Sequence, residues 1–201
     1  FSFIASLLGR IQKPTAGLHA PSVNHALRYE AQSLPETLAR IAESQVGIEE
    51  RGGNNRGPQI QAYQSATNLT GTGWPWCAAF VCWVVWQSLQ KTGFMPPWLR
   101  PRTAGAWNLE AWALTTKGAW SIFRSSPDNP PRRGDICTFV WSHCGIVTGY
   151  DPLKKVVYTV EGNAVALTTG GYASTDGKRG MILAIPAGKE PVVELDKLPT
   201  K

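Results

Sequence analysis

Residues 73–87, "GWPWCAAFVCWVVWQ", place a cysteine where a thiol can do chemistry. Cys77 directly follows Pro75 and Trp76 and opens a run to Trp86 that has no charged or strongly polar side chain. Proline marks a helix start, so the thiol falls in the first turn. There it meets unpaired N–H groups and the positive end of the helix dipole, which favour the thiolate. The same N–H groups suit the oxyanion formed when a carbonyl is attacked. Cys82, deeper in the run, has neither advantage and reads as a small buried hydrophobe.

A cysteine nucleophile needs a base. Of the three histidines, His19 and His25 lie in an N-terminal stretch without helical or strand periodicity, which leaves His143 at the head of "HCGIVTGY". A lone histidine on a strand is more often a packed or surface residue, and the helix-start cysteine is what raises its interest. In "KVVYTVEGN" strand alternation puts Val157, Thr159, Glu161 and Asn163 on one face. Glu161 and Asn163 are therefore both candidates to orient the imidazole. A strand-end glutamate is also, commonly, no more than a solvated charge.

The elements that must hold these residues follow from pattern. "SLPETLARIAESQVG" reads as a helix capped by Ser33, with Pro35 and Glu36 in its first turn, Leu38, Ile41, Ala42 and Val46 on its apolar side, and Gly47 ending it. A turn, "EERGGNNRGPQ", leads to a short helix in "IQAYQSATNL". The central helix runs from about 76 to 91 and, apolar on every side near its start, should be buried. A modest helix is expected around 104 to 117 within a proline-rich stretch. From 134 onward "DICTFV", "HCGIVTGY", "KVVYTVEGN" and "GMILAIP" are short, β-branched and separated by turns, as in an antiparallel sheet. Helices first and strands after make an α+β domain. We expect an arm or linker over 1–33, the catalytic domain over 34–188 and a tail over 189–201.

Bulk properties narrow the partners. The 201 residues suffice for one domain with a real core. A net charge of +6 favours polyanions: nucleic acid, acidic membranes or the anionic bacterial wall. The basic residues are scattered and no nucleic-acid motif accompanies them, so nucleic acid is not expected. The four cysteines, at 77, 82, 137 and 144, form no C-x-x-C pair and the histidines complete no zinc spacing; no metal or cofactor is expected. Neither is a structural disulfide, Cys137 with Cys144 being the one pair left open. No apolar run is long enough to span a membrane, and "FSFIASLLG" lacks the basic region of a signal peptide. A monomer is favoured. Core packing accounts for most of the nine tryptophans. Trp74, Trp76 and Trp141, beside the cysteine and histidine blocks, are assigned to a substrate groove.

Taken in order, "WPWCAAFVCWV", "RRGDICTFVWSHCGIV" and "VEGN" resemble the cysteine, histidine and glutamate/asparagine blocks of the CHAP domain, a papain-like amidohydrolase family related to the NlpC/P60 peptidases. "GGNNRGPQIQAYQ" resembles the run that precedes the cysteine in one bacterial and phage branch. The resemblance spans about 35 to 187. It implies a peptidoglycan hydrolase that cleaves a stem-peptide amide or the muramoyl–alanine link through a thioester, with Cys77 as nucleophile, His143 as base, and Glu161 and Asn163 as the orienting pair, the acid being the usual partner. Action on the wall would place the protein in the periplasm or outside the cell, or make it a phage lysis or injected protein. An injected toxin would carry the same site and need an immunity partner. A wall-binding module without catalysis is the alternative from another class, and the intact set argues against it. Two departures stand out. Cys144 follows His143 where the family usually has an aliphatic residue, and the acidic calcium loop of some phage members is missing.

Overall fold

The computed structural model describes residues 33–93, 99–116, 118–126, 128–139, 141–164 and the backbone of 181–184. The expected arm, apart from Ser33, and the tail lie outside the described residues, as do most of the stretch after "VEGN" and the domain's end at 188.

Helix α1, Leu34–Glu43, begins as its sequence predicts: Ser33 Oγ accepts from the Glu36 N–H at 3.4 Å, and Pro35 occupies the first turn. It stops short of Gly47, and Val46, expected on its apolar face, lies beyond the helix and is 70% exposed. Helix α2, Pro58–Gln64, follows the tight "GGNNRGP" turn. Helix α3, Cys77–Thr92, closes on Gly93 in the left-handed conformation and buries Cys77 to Cys82 without a break. Its apolar residues occur on all sides because helices α1 and α2 and the sheet all pack on it. Helix α4, Asn108–Leu114, is shorter than expected.

The sheet is antiparallel and five-stranded, in the order β1-β5-β2-β3-β4: β1 Ser121–Phe123, β2 Ile136–Phe139, β3 His143–Asp151, β4 Val156–Glu161 and β5 Met181–Ala184. Four of these follow the four patterned segments. The three-residue β1, too short to show alternation, was not foreseen; it exists through pairing with β5. Ile136, Cys144 and Ile146 face the helical layer, whereas Cys137 and Val147 pack on the other face with Phe139 and Val157. Cys137 and Cys144 therefore point to opposite sides of the sheet, which removes the one bridge left open above. All four cysteines are free thiols.

A clamp fixes α1 to the strands. The Arg133 guanidinium donates to Glu36 at 2.8 Å, to Glu43 at 2.6 Å and to the Thr148 carbonyl at 2.7 Å. Gly134 beside it has φ +89°, and a Cβ there would sit 2.1 Å from the Pro35 carbonyl oxygen. Only glycine lets the β2 turn approach the helix so closely.

Candidate active site

The approach to Cys77 is held by a polar lattice below the helix start. Glu50 accepts from the Trp76 indole N–H at 2.9 Å and from the Asn55 backbone N–H at 2.7 Å. The Gln64 amide donates to the Trp74 carbonyl at 2.9 Å, and that of Asn55 to the Gly73 carbonyl at 3.4 Å. Trp76, the N-cap residue, stacks on Tyr63 with ring centroids 5.3 Å apart. These bonds fix where α3 begins and so where its first thiol stands.

Cys77 is buried at the first position of α3, where His143 and Cys144 act on its thiol. His143 Nε2 lies 2.9 Å from Glu161 Oε2, which leaves Nδ1 for the cysteine. The other carboxylate oxygen, Oε1, accepts from Thr159 Oγ1 at 2.6 Å. His143 also stacks near Phe139, at 6.0 Å between centroids, and Phe139 stacks on Trp141 at 4.8 Å.

Gly145 makes the His143–Glu161 contact possible. It pairs across from Glu161 in the β3–β4 register, and a Cβ on it would lie 2.6 Å from Glu161 Cγ. The missing side chain lets the glutamate cross β3 toward the histidine, two residues back. Gly162 similarly admits the Trp76 ring and Phe80, each within 2.8 Å of where its Cβ would be.

The electrostatics match this geometry. The hydrogen bond from Cys144 works against burial and, with the His143 hydrogen bond and charge and the Ala78 N–H, brings the Cys77 thiol down to about 5. Burial opposes charge on His143, yet its bonds to Cys77 and Glu161 outweigh it and raise the imidazole to about 9. Between those values the pair exists as thiolate and imidazolium. Cys82, on the same helix, donates to the Thr103 carbonyl at 3.3 Å, and burial raises its thiol to about 12, only partly offset by the Thr103 backbone and the Arg100 charge.

Cys77, His143 and Glu161 are thus brought together, and Asn163 is not part of the chain. The strand ends at Glu161, and Asn163 takes φ +55°, which breaks the alternation that placed it beside the acid. The cause is the turn imposed by Gly162 packing on the helix. Trp76 is also corrected: at 6% exposure, with its N–H on Glu50, it is a core residue rather than a groove wall. Trp74 is partly exposed and Trp141 is 49% exposed. Sequence reading missed the roles of Thr159, Gly145 and Glu50. The first two had a visible signal, a hydroxyl two residues before the glutamate and a glycine two after the histidine.

A family model described as CHAP domain matches residues 69–163, from just before the cysteine turn to just past Glu161. Over that segment the chain is similar to the CHAP domain. The matched segment is narrower than the 35 to 187 resemblance, although α1 and α2 share the core of the matched α3 helix. The match suggests amidase-type hydrolysis of peptidoglycan as the class of activity, with action on the cell wall. No curated protein and no solved structure matched the chain. Among the described residues no cluster of three or more His, Cys, Asp or Glu side chains could hold a metal ion, and no helix is long and apolar enough to cross a membrane.

Proposed function

We propose that this CHAP-like domain is a cysteine amidase or endopeptidase that cuts peptidoglycan through a thioester, with Cys77 as nucleophile, His143 as acid–base and Glu161 as its orienting partner. The buried Cys77–His143–Glu161 chain at a helix start carries the reading. The Cys77 thiolate adds to an amide carbonyl, and the oxyanion meets N–H groups of the first turn of α3. The His143 imidazolium gives its proton to the leaving amine. Water then attacks the thioester as His143 takes a proton from it, releasing the acid and restoring the thiol. Glu161 stabilises the imidazolium, and Thr159 steadies Glu161. Asn163, off the chain, has at most an indirect part. Trp141, stacked on Phe139 beside the histidine, and Trp74, before the cysteine, line the path of the polymer. The +6 charge favours an anionic wall.

The test is purified protein on isolated cell walls, with mass analysis of the soluble fragments. New paired amine and carboxyl ends, at the muramoyl–alanine link or within the stem peptide, identify the bond. Binding to walls without any new ends would favour the wall-binding module.

A further inference from the structure

Glu161 holds the His143 ring at Nε2. That atom lies close to the Cβ–Cγ axis about which the imidazole turns, so the bond alone holds the plane of the ring weakly. Phe139 supplies a second constraint. It is the Cα partner of His143 in the β2–β3 register, and its carbonyl accepts from the Ser142 N–H at 3.2 Å to close the turn between the strands. Directly opposite residues of an antiparallel pair share a face of the sheet, and here the two rings meet, with planes 22° apart and centroids 6.0 Å apart. Phe139 is itself anchored: it packs on buried Cys137 and Val147, and it stacks on Trp141 with centroids 4.8 Å apart and planes 12° apart. With this ring on one neighbouring strand and Glu161 on the other, the His143 side chain is 15% exposed. We propose that Phe139 is a positioning residue for the catalytic base, whose anchored ring fixes the plane of the imidazole and favours the imidazolium over the neutral ring.

Two effects combine. The face of an aromatic ring attracts a cation placed within about 6 Å of its centroid, and His143 sits at that limit, so the preference for the imidazolium is small. The fixed plane matters more. Nε2 serves Glu161 and Nδ1 faces the cysteine, so a ring turned out of plane misaligns both at once, and small misplacements are costly in turnover. Position separates the two aromatic neighbours. Trp141 is half exposed and open to a polymer, whereas Phe139 is half-buried and acts through His143. Loss of the indole should therefore raise KM, and loss of the phenyl ring should lower kcat.

The proposal rests on His143 being the acid–base of the hydrolase, so one arm of its test reads the imidazole without hydrolysis. In full-length Cys77→Ser, proton NMR titration follows the His143 ring, identified by its disappearance on adding His143→Gln. Adding Phe139→Leu, apolar but without a π face, should lower the His143 midpoint by about half a pH unit, whereas Phe139→Tyr should leave it in place. The other arm keeps the thiol and measures initial rates on isolated walls. Phe139→Leu should lose about tenfold in kcat with KM nearly unchanged and the alkaline limb of its pH profile moved down. Phe139→Tyr should recover most of the parent rate, and Trp141→Ala should act mainly on KM. A His143 midpoint unmoved by Phe139→Leu would overturn the proposal, as would a Phe139→Leu defect confined to KM or to thermal stability. So would Phe139→Tyr as impaired as Phe139→Leu. Should Phe139→Leu fail to fold by circular dichroism, Phe139→Met, unbranched and also without a π face, replaces it in both arms. If the parent digests no walls, the hydrolase reading falls and the titration alone decides the role of Phe139.

Discussion

Cys77 and Cys82 sit on one helix, both buried, and differ by almost everything that matters to a thiol. The first stands at the helix start against a histidine, a second thiol and an amide N–H, and is brought down to about 5. The second sits in the apolar middle against one carbonyl oxygen and is pushed up to about 12. Burial disfavours charge at both. At Cys77 the donors and the imidazolium outweigh burial; at Cys82 burial outweighs the Thr103 backbone and the Arg100 charge. Reactivity is thus a property of the helix end and the strand beneath it, not of the residue type.

Substitution separates the two sites most sharply. Cys77→Ser should lower wall hydrolysis on the order of 10⁶-fold, the scale for removing an acyl-transfer nucleophile. The measurement is initial rate on isolated walls, with circular dichroism to show an intact fold. Next, Glu161→Gln should cost about 10²-fold in turnover. It also has a pH signature. The carboxylate helps raise His143 to about 9, so its loss lets the imidazolium deprotonate sooner. The alkaline limb of the pH–rate profile should move down, while the acid limb, set by Cys77, moves little. A smaller effect is expected from Gly145→Ala, where the new Cβ would meet Glu161 Cγ and the Val160 carbonyl. Turnover should fall roughly tenfold as the glutamate is moved off the histidine, a displacement that kcat reports more than thermal stability does. Cys82→Ala and Asn163→Ala should stay within about threefold of the parent rate, the former losing about 1 kcal/mol of stability with its buried hydrogen bond. An Asn163→Ala defect larger than that of Glu161→Gln would reverse the assignment of the orienting residue.

The helix start was legible because proline and tryptophan before an apolar run fix both its place and its burial. His143 was a candidate by elimination; strand alternation offered Glu161 and Asn163 alike, and the family resemblance favoured the acid. Alternation failed one step later. It assumes a continuing strand, and Gly162 turns the chain into the helix before Asn163. Trp76 misled because an aromatic beside a nucleophile reads as a groove wall; only the partner Glu50, far off in sequence, shows that the indole points inward. Strand β1 left no local signal, since its pairing comes from β5.

The most direct test of the account is the pH dependence of iodoacetamide labelling, followed residue by residue in the native protein. Cys77 should label with a midpoint near pH 5, while Cys82 stays unmodified through neutral pH. A Cys77 midpoint near the ordinary thiol value, or labelling of Cys82 first, would contradict the thiolate–imidazolium pair on which the mechanism rests.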